Sequence, residues 1–221
     1  MSVFVRRYVV CSQPVSMLRR HWRTRRMRVM LQLLGIPPRG RVIDLGGTWE
    51  IWSLIDHDFQ ITMVNTSPWP APRDPSRHRV VVADACELDG WFEDQSFDFA
   101  FSNSVIEHVG DAGRRRRFAE QVKRLAPVWW VQTPCPSFPI EAHTGLPYYW
   151  SWPDWAKARA AESRRRHLPN WYREMEATTA VDAQELQTLF PGGLLYRERC
   201  LGLVKSVAVY QPAAGTEPPP G

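Results

Sequence analysis

The chain has 221 residues, with 28 basic and 23 acidic side chains for a net charge of +5, and is 44% hydrophobic and 23% charged. A chain of this length and balance holds one ample core, at most with an insertion, and is neither a collagen, a coiled coil nor a wholly disordered polymer. No apolar run approaches the roughly 18 residues of a membrane span, and residues 1–11, broken by Arg6 and Arg7, lack the apolar block of a secretory signal, so the expected location is cytoplasmic.

In chain order, residues 15–34 space Met17, Leu18, Trp22, Met27, Met30, Leu31 and Leu34 mostly three and four apart, with arginines filling the other face. This predicts a basic amphipathic helix ended by Gly35, Pro37 and Pro38, so that residues 1–40 form an N-terminal helix and linker. The following pattern alternates between strands and helices. Strands are expected over Val42 to Leu45, Gln60 to Asn65, Arg79 to Ala83, Phe97 to Ser102, Pro127 to Gln132, Leu194 to Leu201 and Ser206 to Gln211. Helices are expected over Trp49 to Ile55, over Asp111 to Leu125 with Asp111 as cap, and over residues 182–193, where Asp182 and Glu185 have the spacing of a capping box. Continuous apolar strands separated by helices indicate an α/β fold with helices on both faces of a mostly parallel sheet.

Two regions break the rhythm. Residues 134–179 are too long for an ordinary crossover and read as an inserted lid rich in tryptophan and tyrosine; the proline- and glycine-rich residues 212–221 read as a disordered tail. Cys11, Cys86, Cys135 and Cys200 form no close pair, which points to reduced packing residues and away from a zinc or redox motif. The arginine runs 114–117 and 164–166 read as solvated helix faces.

The words that carry chemistry begin with VIDLGGT at 42–48, a strand that ends in an acidic residue and turns through two glycines into a helix. Glycines there let the backbone approach a nucleotide-like ligand, although neither a GxGxxG fingerprint nor a phosphate loop is present. The next strands also end in polar groups, at Asn65, at Asp84-Ala85 and at Ser102-Asn103.

With ITMVNTSP, VVADACELDGWFEDQSFDFAFSNSVIEHVGD and the closing LLYRERCLGLVKSVAVYQ, this series resembles the class I S-adenosylmethionine-dependent methyltransferases, in their small-molecule, type 11-like branch, over about residues 41–211. The resemblance implies a Rossmann-like seven-stranded sheet with one antiparallel strand near the end. It implies S-adenosylmethionine as cofactor, with Asp44, Gly46, Gly47 and Thr48 facing the amino-acid part of the donor. Asn65 would stand where the family usually has an acidic ribose ligand, Asp84 and Ala85 at the adenine edge, and Ser102 and Asn103 near the methionine end. His143 and Glu141, just beyond the fifth strand, fall where acceptors bind and are the candidate catalytic base and its companion, since imidazole titrates near neutrality. Tyr148, Tyr149, Trp150 and Trp152 are the candidate acceptor wall.

Some relatives carry a Glu-x-x-Glu-His pattern that binds magnesium; here Ser104 replaces the first glutamate, so no metal is expected and Glu107-His108 is read as a hydrogen-bonded turn. The expected activity is O-methylation of a small molecule such as a natural product, sugar or lipid-linked precursor. Two alternatives stand beside it. One is RNA methylation using the basic helix, against which stand the modest charge and the lack of an appended RNA-binding module in the sequence; the other is a degenerate methyltransferase-fold partner subunit, hinted at by Asn65. The oligomeric state is open, with a homodimer among the options.

Overall fold

The structure is a computed structural model that describes residues 13–68, 74–167, 172 and 178–216. Seven strands are hydrogen-bonded in one sheet in the order β3-β2-β1-β4-β5-β7-β6. They are β1 (Arg41–Leu45), β2 (Gln60–Asn65), β3 (His78–Val82), β4 (Phe99–Asn103), β5 (Val128–Pro134), β6 (Leu194–Cys200) and β7 (Leu203–Gln211). The first five run parallel, and β7 is antiparallel to both β5 and β6. This is the α/β architecture expected, with each strand within about three residues of its predicted bounds.

Side chains that alternate along the strands build two cores. One face of the sheet packs Ile43, Ala100, Val131 and Val209 under α3 (Ala112–Leu125) and α5 (Ala183–Leu189), which contribute Phe118, Val122, Leu125 and Leu186, while α4 (Asp154–His167) lies between them in the lid sequence. The opposite face packs Val42, Phe101 and Trp130 under α1 (Gln13–Leu34) and the short α2 (Trp49–Trp52), which contribute Met27, Met30, Leu34, Ile51 and Trp52. The expected caps are present: the Asp111 and Asp182 carboxylates accept from the backbone N–H of Arg114 and Glu185. The Glu185 carboxylate pairs with the Arg115 guanidinium at 2.6 Å.

Two expectations are corrected. The exposed N-terminal part of α1 includes Met17 and Leu18, so its buried stripe is Arg26, Met27, Met30, Leu33 and Leu34 and not the one drawn from apolar spacing. Arg26 lies inward because its guanidinium finds acceptors on four strands, as described below. The second correction concerns the tail. Residues 212–216 dock on the end of α1: the Ala213 N–H donates to the Leu34 carbonyl at 2.9 Å, and Thr216 fills the space over Gly35. Residues 217–221 lie outside the described residues, as does Cys11.

Because Met30 is fully buried against the sheet, Met30→Ala should cost about 2–5 kcal/mol in chemical denaturation. A change near zero would mean that α1 is an appendage and not part of the core. Among the described residues no helix is long and apolar enough to cross a membrane.

Candidate active site

The strand order reverses between β1 and β4, and the crevice beyond their carboxyl ends is where open α/β sheets hold ligands. β1 delivers Asp44, which is 0% exposed. Its Oδ2 accepts from the Trp52 indole N–H at 2.7 Å, while Oδ1 has no hydrogen-bond partner among the described residues. Burial pushes its pKa up to about 7 against the opposing Trp52 bond.

The two glycines that follow have no room for side chains. Gly46 has φ +80° and a Cβ there would lie 2.6 Å from Val105 Cγ1, on the loop leaving β4; a Cβ on Gly47 would lie 1.8 Å from Asp44 Oδ2. Thr48 is the N-cap residue of α2, and its hydroxyl makes no capping bond. The Asn65 amide donates to the Gly47 carbonyl at 3.1 Å, which ties the end of β2 to the glycine turn.

At the β3 end, Asp84 accepts from the Cys86 N–H at 2.9 Å and pairs with the Arg114 guanidinium. Burial alone would raise its pKa, but these two partners outweigh it and hold the carboxyl below its ordinary range. Ala85 is buried beside it.

The side chains of Ser102 and Asn103 both have partners within the protein. The Ser102 hydroxyl is fully buried and donates to the Leu45 carbonyl at 3.1 Å, joining β4 to β1. Asn103 gives its side-chain oxygen to Arg26 Nη1 at 2.8 Å. These bonds tie the end of β4 to β1 and to α1.

The residues present fit the implied donor in one specific respect. A fully buried carboxylate oxygen without a partner is costly, and the ammonium of the donor's amino-acid part is the kind of group that satisfies it. Asp44, Gly46, Gly47, Thr48 and Asn65 are the residues that would hold S-adenosylmethionine.

A second polar cluster lies beyond β4 and β5. A 3-10 turn, Ile106–His108, follows β4, closed by the His108 N–H donating to the Val105 carbonyl at 2.7 Å. This is the hydrogen-bonded turn expected at Glu107-His108. Glu107 is 1% exposed; its Oε2 accepts from the Thr133 hydroxyl at 3.0 Å, and its Oε1 has no partner among the described residues. Burial raises its pKa to about 7.

The lid brings His143 onto this turn, 3.0 Å from His108 between the two Nε2 atoms and 3.8 Å from Glu107 Oε1. His143 Nδ1 faces Glu141 Oε1 at 2.9 Å, and Glu141 Oε2 also accepts from the backbone N–H groups of His143 and Thr144. Those bonds hold the Glu141 carboxyl below its ordinary pKa although burial opposes them. Burial and the neighbouring His143 push His108 down to about 4, so its imidazole is neutral at physiological pH. Glu141 is thus a positioning residue that orients His143. Thr133 and Thr178, whose hydroxyl lies 3.1 Å from His108 Nδ1, were not identified from the sequence, and His108 was read only as part of a turn.

The aromatic residues divide. Tyr149 is buried with Leu146, and Trp150 and Trp152 pack against that pair as a small core of the lid itself. Tyr148 is 58% exposed with φ +49°. Trp150 also lines a shallow cavity with Glu107, Thr133, Glu141 and His143, and so is the one of the four placed beside the polar cluster. A larger open hollow of about 510 Å³ lies at the other end of the strands, around Arg41, Gln60 and Arg77, far from these groups.

Arg26 is the largest omission of the sequence reading. At 6% exposure its guanidinium reaches Glu198 (2.6 and 3.3 Å), Gln132 (2.7 Å), Asn103 (2.8 Å) and Ser206 (3.3 Å), joining α1 to β4, β5, β6 and β7. Its spacing of four and seven from Met30 and Leu33 was the available signal.

A seven-stranded sheet with this order, a glycine turn at its switch point and an acidic residue beneath it define the class I methyltransferase architecture. A family model described as a methyltransferase domain matches residues 19–190, and the chain belongs to that family, whose members of this architecture use S-adenosylmethionine. No curated protein matches the sequence.

Among solved structures, one similar protein is the Burkholderia thailandensis 1,6-didemethyltoxoflavin-N1-methyltransferase, bound to 1,6-didemethyltoxoflavin and S-adenosylhomocysteine. It is 15% identical, with a TM-score of 0.55 over 94% of this chain and 84% of that one. Another is the methyltransferase in complex with the Haloferax volcanii Trm112 activator, 14% identical, with a TM-score of 0.57 over 92% and 94% of the two chains. The chain spans about half the length of some other solved structures it matches, among them the [4+2]-cyclase SpnF (52% of its length and 56% of this chain, 19% identity, TM-score 0.43). At these identities the likeness concerns the fold.

Proposed function

We propose that the chain methylates a hydroxyl group of a small-molecule acceptor, with S-adenosylmethionine as donor. The observation that carries this reading is the convergence of Glu107, His108, Glu141 and His143 just beyond β4 and β5, beside the crevice lined by Asp44, Gly46, Gly47 and Asn65. The Burkholderia neighbour, whose acceptor is a small molecule, supports the acceptor class.

S-adenosylmethionine, which Asp44, Gly46, Gly47, Thr48 and Asn65 would hold, would supply an electrophilic methyl on a sulfonium, with sulfur keeping the electron pair of the carbon–sulfur bond as the methyl passes to the acceptor oxygen. The chain's own contribution is mostly positioning, which can be worth effective molarities of about 10⁵ M or more. Asp44 and the glycine turn fix the donor's amino-acid end. Glu141 orients the His143 ring, so that the proton on Nδ1 faces the carboxylate and the Nε2 lone pair faces the cluster. His143 Nε2, exchanging its contact with His108 for the acceptor, receives the proton that the acceptor hydroxyl gives up.

Calorimetric titration with S-adenosylmethionine and S-adenosylhomocysteine, followed by mass spectrometry of a panel of hydroxylated small molecules, tests this reading. Micromolar donor binding and a gain of one methyl group on oxygen are expected. His143→Ala should keep S-adenosylhomocysteine affinity while slowing turnover by about 10²-fold or more. Failure of both ligands to bind, or methylation exclusively at nitrogen or carbon, would overturn it.

A further inference from the structure

We infer that Glu107, His108 and His143 form a binding site for a divalent transition-metal cation, with zinc the best match. The site rests on the geometry of three inward atoms and of the groups behind them. Glu107 Oε1, His108 Nε2 and His143 Nε2 lie within 4.8 Å of one another. The Glu107 side chain is 2% exposed, and its Oε1 is buried and has no hydrogen-bond partner among the described residues. A protein does not ordinarily leave a buried carboxylate oxygen in that state, and a cation at the cluster supplies what it lacks.

Each potential ligand is also held from its far side. Thr133 donates to Glu107 Oε2, Glu141 takes the Nδ1 proton of His143, and Thr178 lies at Nδ1 of His108. A carboxylate or hydroxyl behind each imidazole fixes the ring and turns its Nε2 lone pair inward, which is the usual support of metal-bound histidine.

The two Nε2 atoms are 3.0 Å apart. A tetrahedral zinc with bonds of about 2.0–2.1 Å would separate them by about 3.3 Å, so a small opening of the pair admits the ion. Without metal, a proton shared between the rings closes the same gap, with Thr178 donating to His108. With metal, the Thr178 hydroxyl rotates to accept from His108 Nδ1, and both lone pairs face the ion.

The donor set decides the class of cation. Two imidazoles and one carboxylate suit zinc, iron, cobalt or nickel, whereas magnesium prefers a set of oxygens. Three protein ligands leave a coordination position open, and the Trp150-lined cavity adjoins Glu107 and His143. An acceptor hydroxyl in that position would be polarised by the ion, which occupies both Nε2 lone pairs and so replaces the imidazole base as the group that eases loss of the hydroxyl proton. This last step rests on the proposed function, whereas metal binding does not.

The test uses the full chain, stripped with EDTA and desalted. Zinc is titrated by calorimetry, and cobalt(II) by its visible d–d absorption, which reports tetrahedral nitrogen and oxygen ligation. One zinc per chain is expected, with magnesium giving no heat. His108→Ala and Glu107→Gln should abolish the cobalt spectrum, and Glu141→Gln should weaken zinc binding about 10–100-fold by releasing the His143 ring.

S-adenosylhomocysteine binding, measured on every variant, reports that the fold is intact. Should the acidic variants fail to fold, His143→Gln takes their place in the same titrations. Absence of zinc binding, or zinc binding unchanged by these substitutions, overturns the site whatever the activity. A site that binds zinc with no methyl transfer to any hydroxyl would overturn only the proposed function.

Discussion

Arg26→Met should destabilise the protein by about 3–5 kcal/mol, lowering Tm by roughly 6–20 °C in a chain of this size. The Glu198 carboxylate is 0% exposed and takes two bonds from Arg26, while its other partners are the Ser206 hydroxyl at 2.8 Å and Lys205 Nζ at 3.6 Å. Removing the guanidinium leaves a buried charge without its main counterion. A double variant, Arg26→Met with Glu198→Met, removes the charge as well and should recover much of the loss.

The pH dependence has a definite sign. Burial opposes ionisation of Glu198, but Arg26 outweighs it and holds the carboxyl below its ordinary value. The pair therefore stabilises fully above the ordinary carboxylate range and progressively less as pH falls through the lowered value. Thermal denaturation across acid pH should show this loss in the wild type and not in the double variant. A single variant as stable as the wild type would show that the network is ornamental.

Arg26 also shows where reading the sequence stops. The spacing of Arg26 from Met30 and Leu33 was legible, but hydrophobic spacing treats every arginine as solvent-facing, and nothing local says that, of Arg23, Thr24, Arg25 and Arg26, the last has acceptors waiting on β4, β5, β6 and β7. The partners lie 77 to 180 residues away in sequence. The strands were legible for the opposite reason: apolar runs bounded by glycine and proline are local patterns. The glycine turn was legible too, because a residue with φ +80° and a residue packed on a carboxylate both demand glycine.

The polar cluster was half legible. Glu107-His108 and Glu141-His143 each stood out as words, and the expected position of His143 beyond β5 agrees with where it lies. Their meeting was not readable, since it depends on the path of a lid whose own aromatic core, Leu146 and Tyr149 with Trp150 and Trp152, has no periodic signature. That is also why the four aromatic residues could not be sorted into pocket wall and packing. The partner of Ser102 was unreadable for a simpler reason: strand residues alternate in direction, and only the structure shows that its side chain reaches the Leu45 carbonyl.

Asp44 should make donor binding depend on pH and make the donor-free fold depend on it in the opposite sense. Burial raises its pKa to about 7, so below that value the carboxyl of the empty crevice is protonated. Binding the donor's ammonium favours the ionised form and must displace that proton. The affinity for S-adenosylhomocysteine should therefore fall about tenfold for each pH unit below 7 and level off above it.

Without ligand the sign reverses. Between the ordinary aspartate value, near 3.8, and about 7 the folded state binds one proton more than the unfolded chain, so each unit of rising pH costs about 1.4 kcal/mol from this group. Asp44→Asn keeps an oxygen for the Trp52 indole and removes the titration. It should flatten both profiles and weaken S-adenosylhomocysteine at neutral pH by at least about tenfold, the loss of a charged hydrogen bond. Calorimetry and thermal denaturation over the same pH range separate the two effects. An Asp44→Asn variant that binds S-adenosylhomocysteine as tightly as the wild type would place the donor's ammonium elsewhere in the crevice, and the orphaned Oδ1 would then have no ligand to explain it.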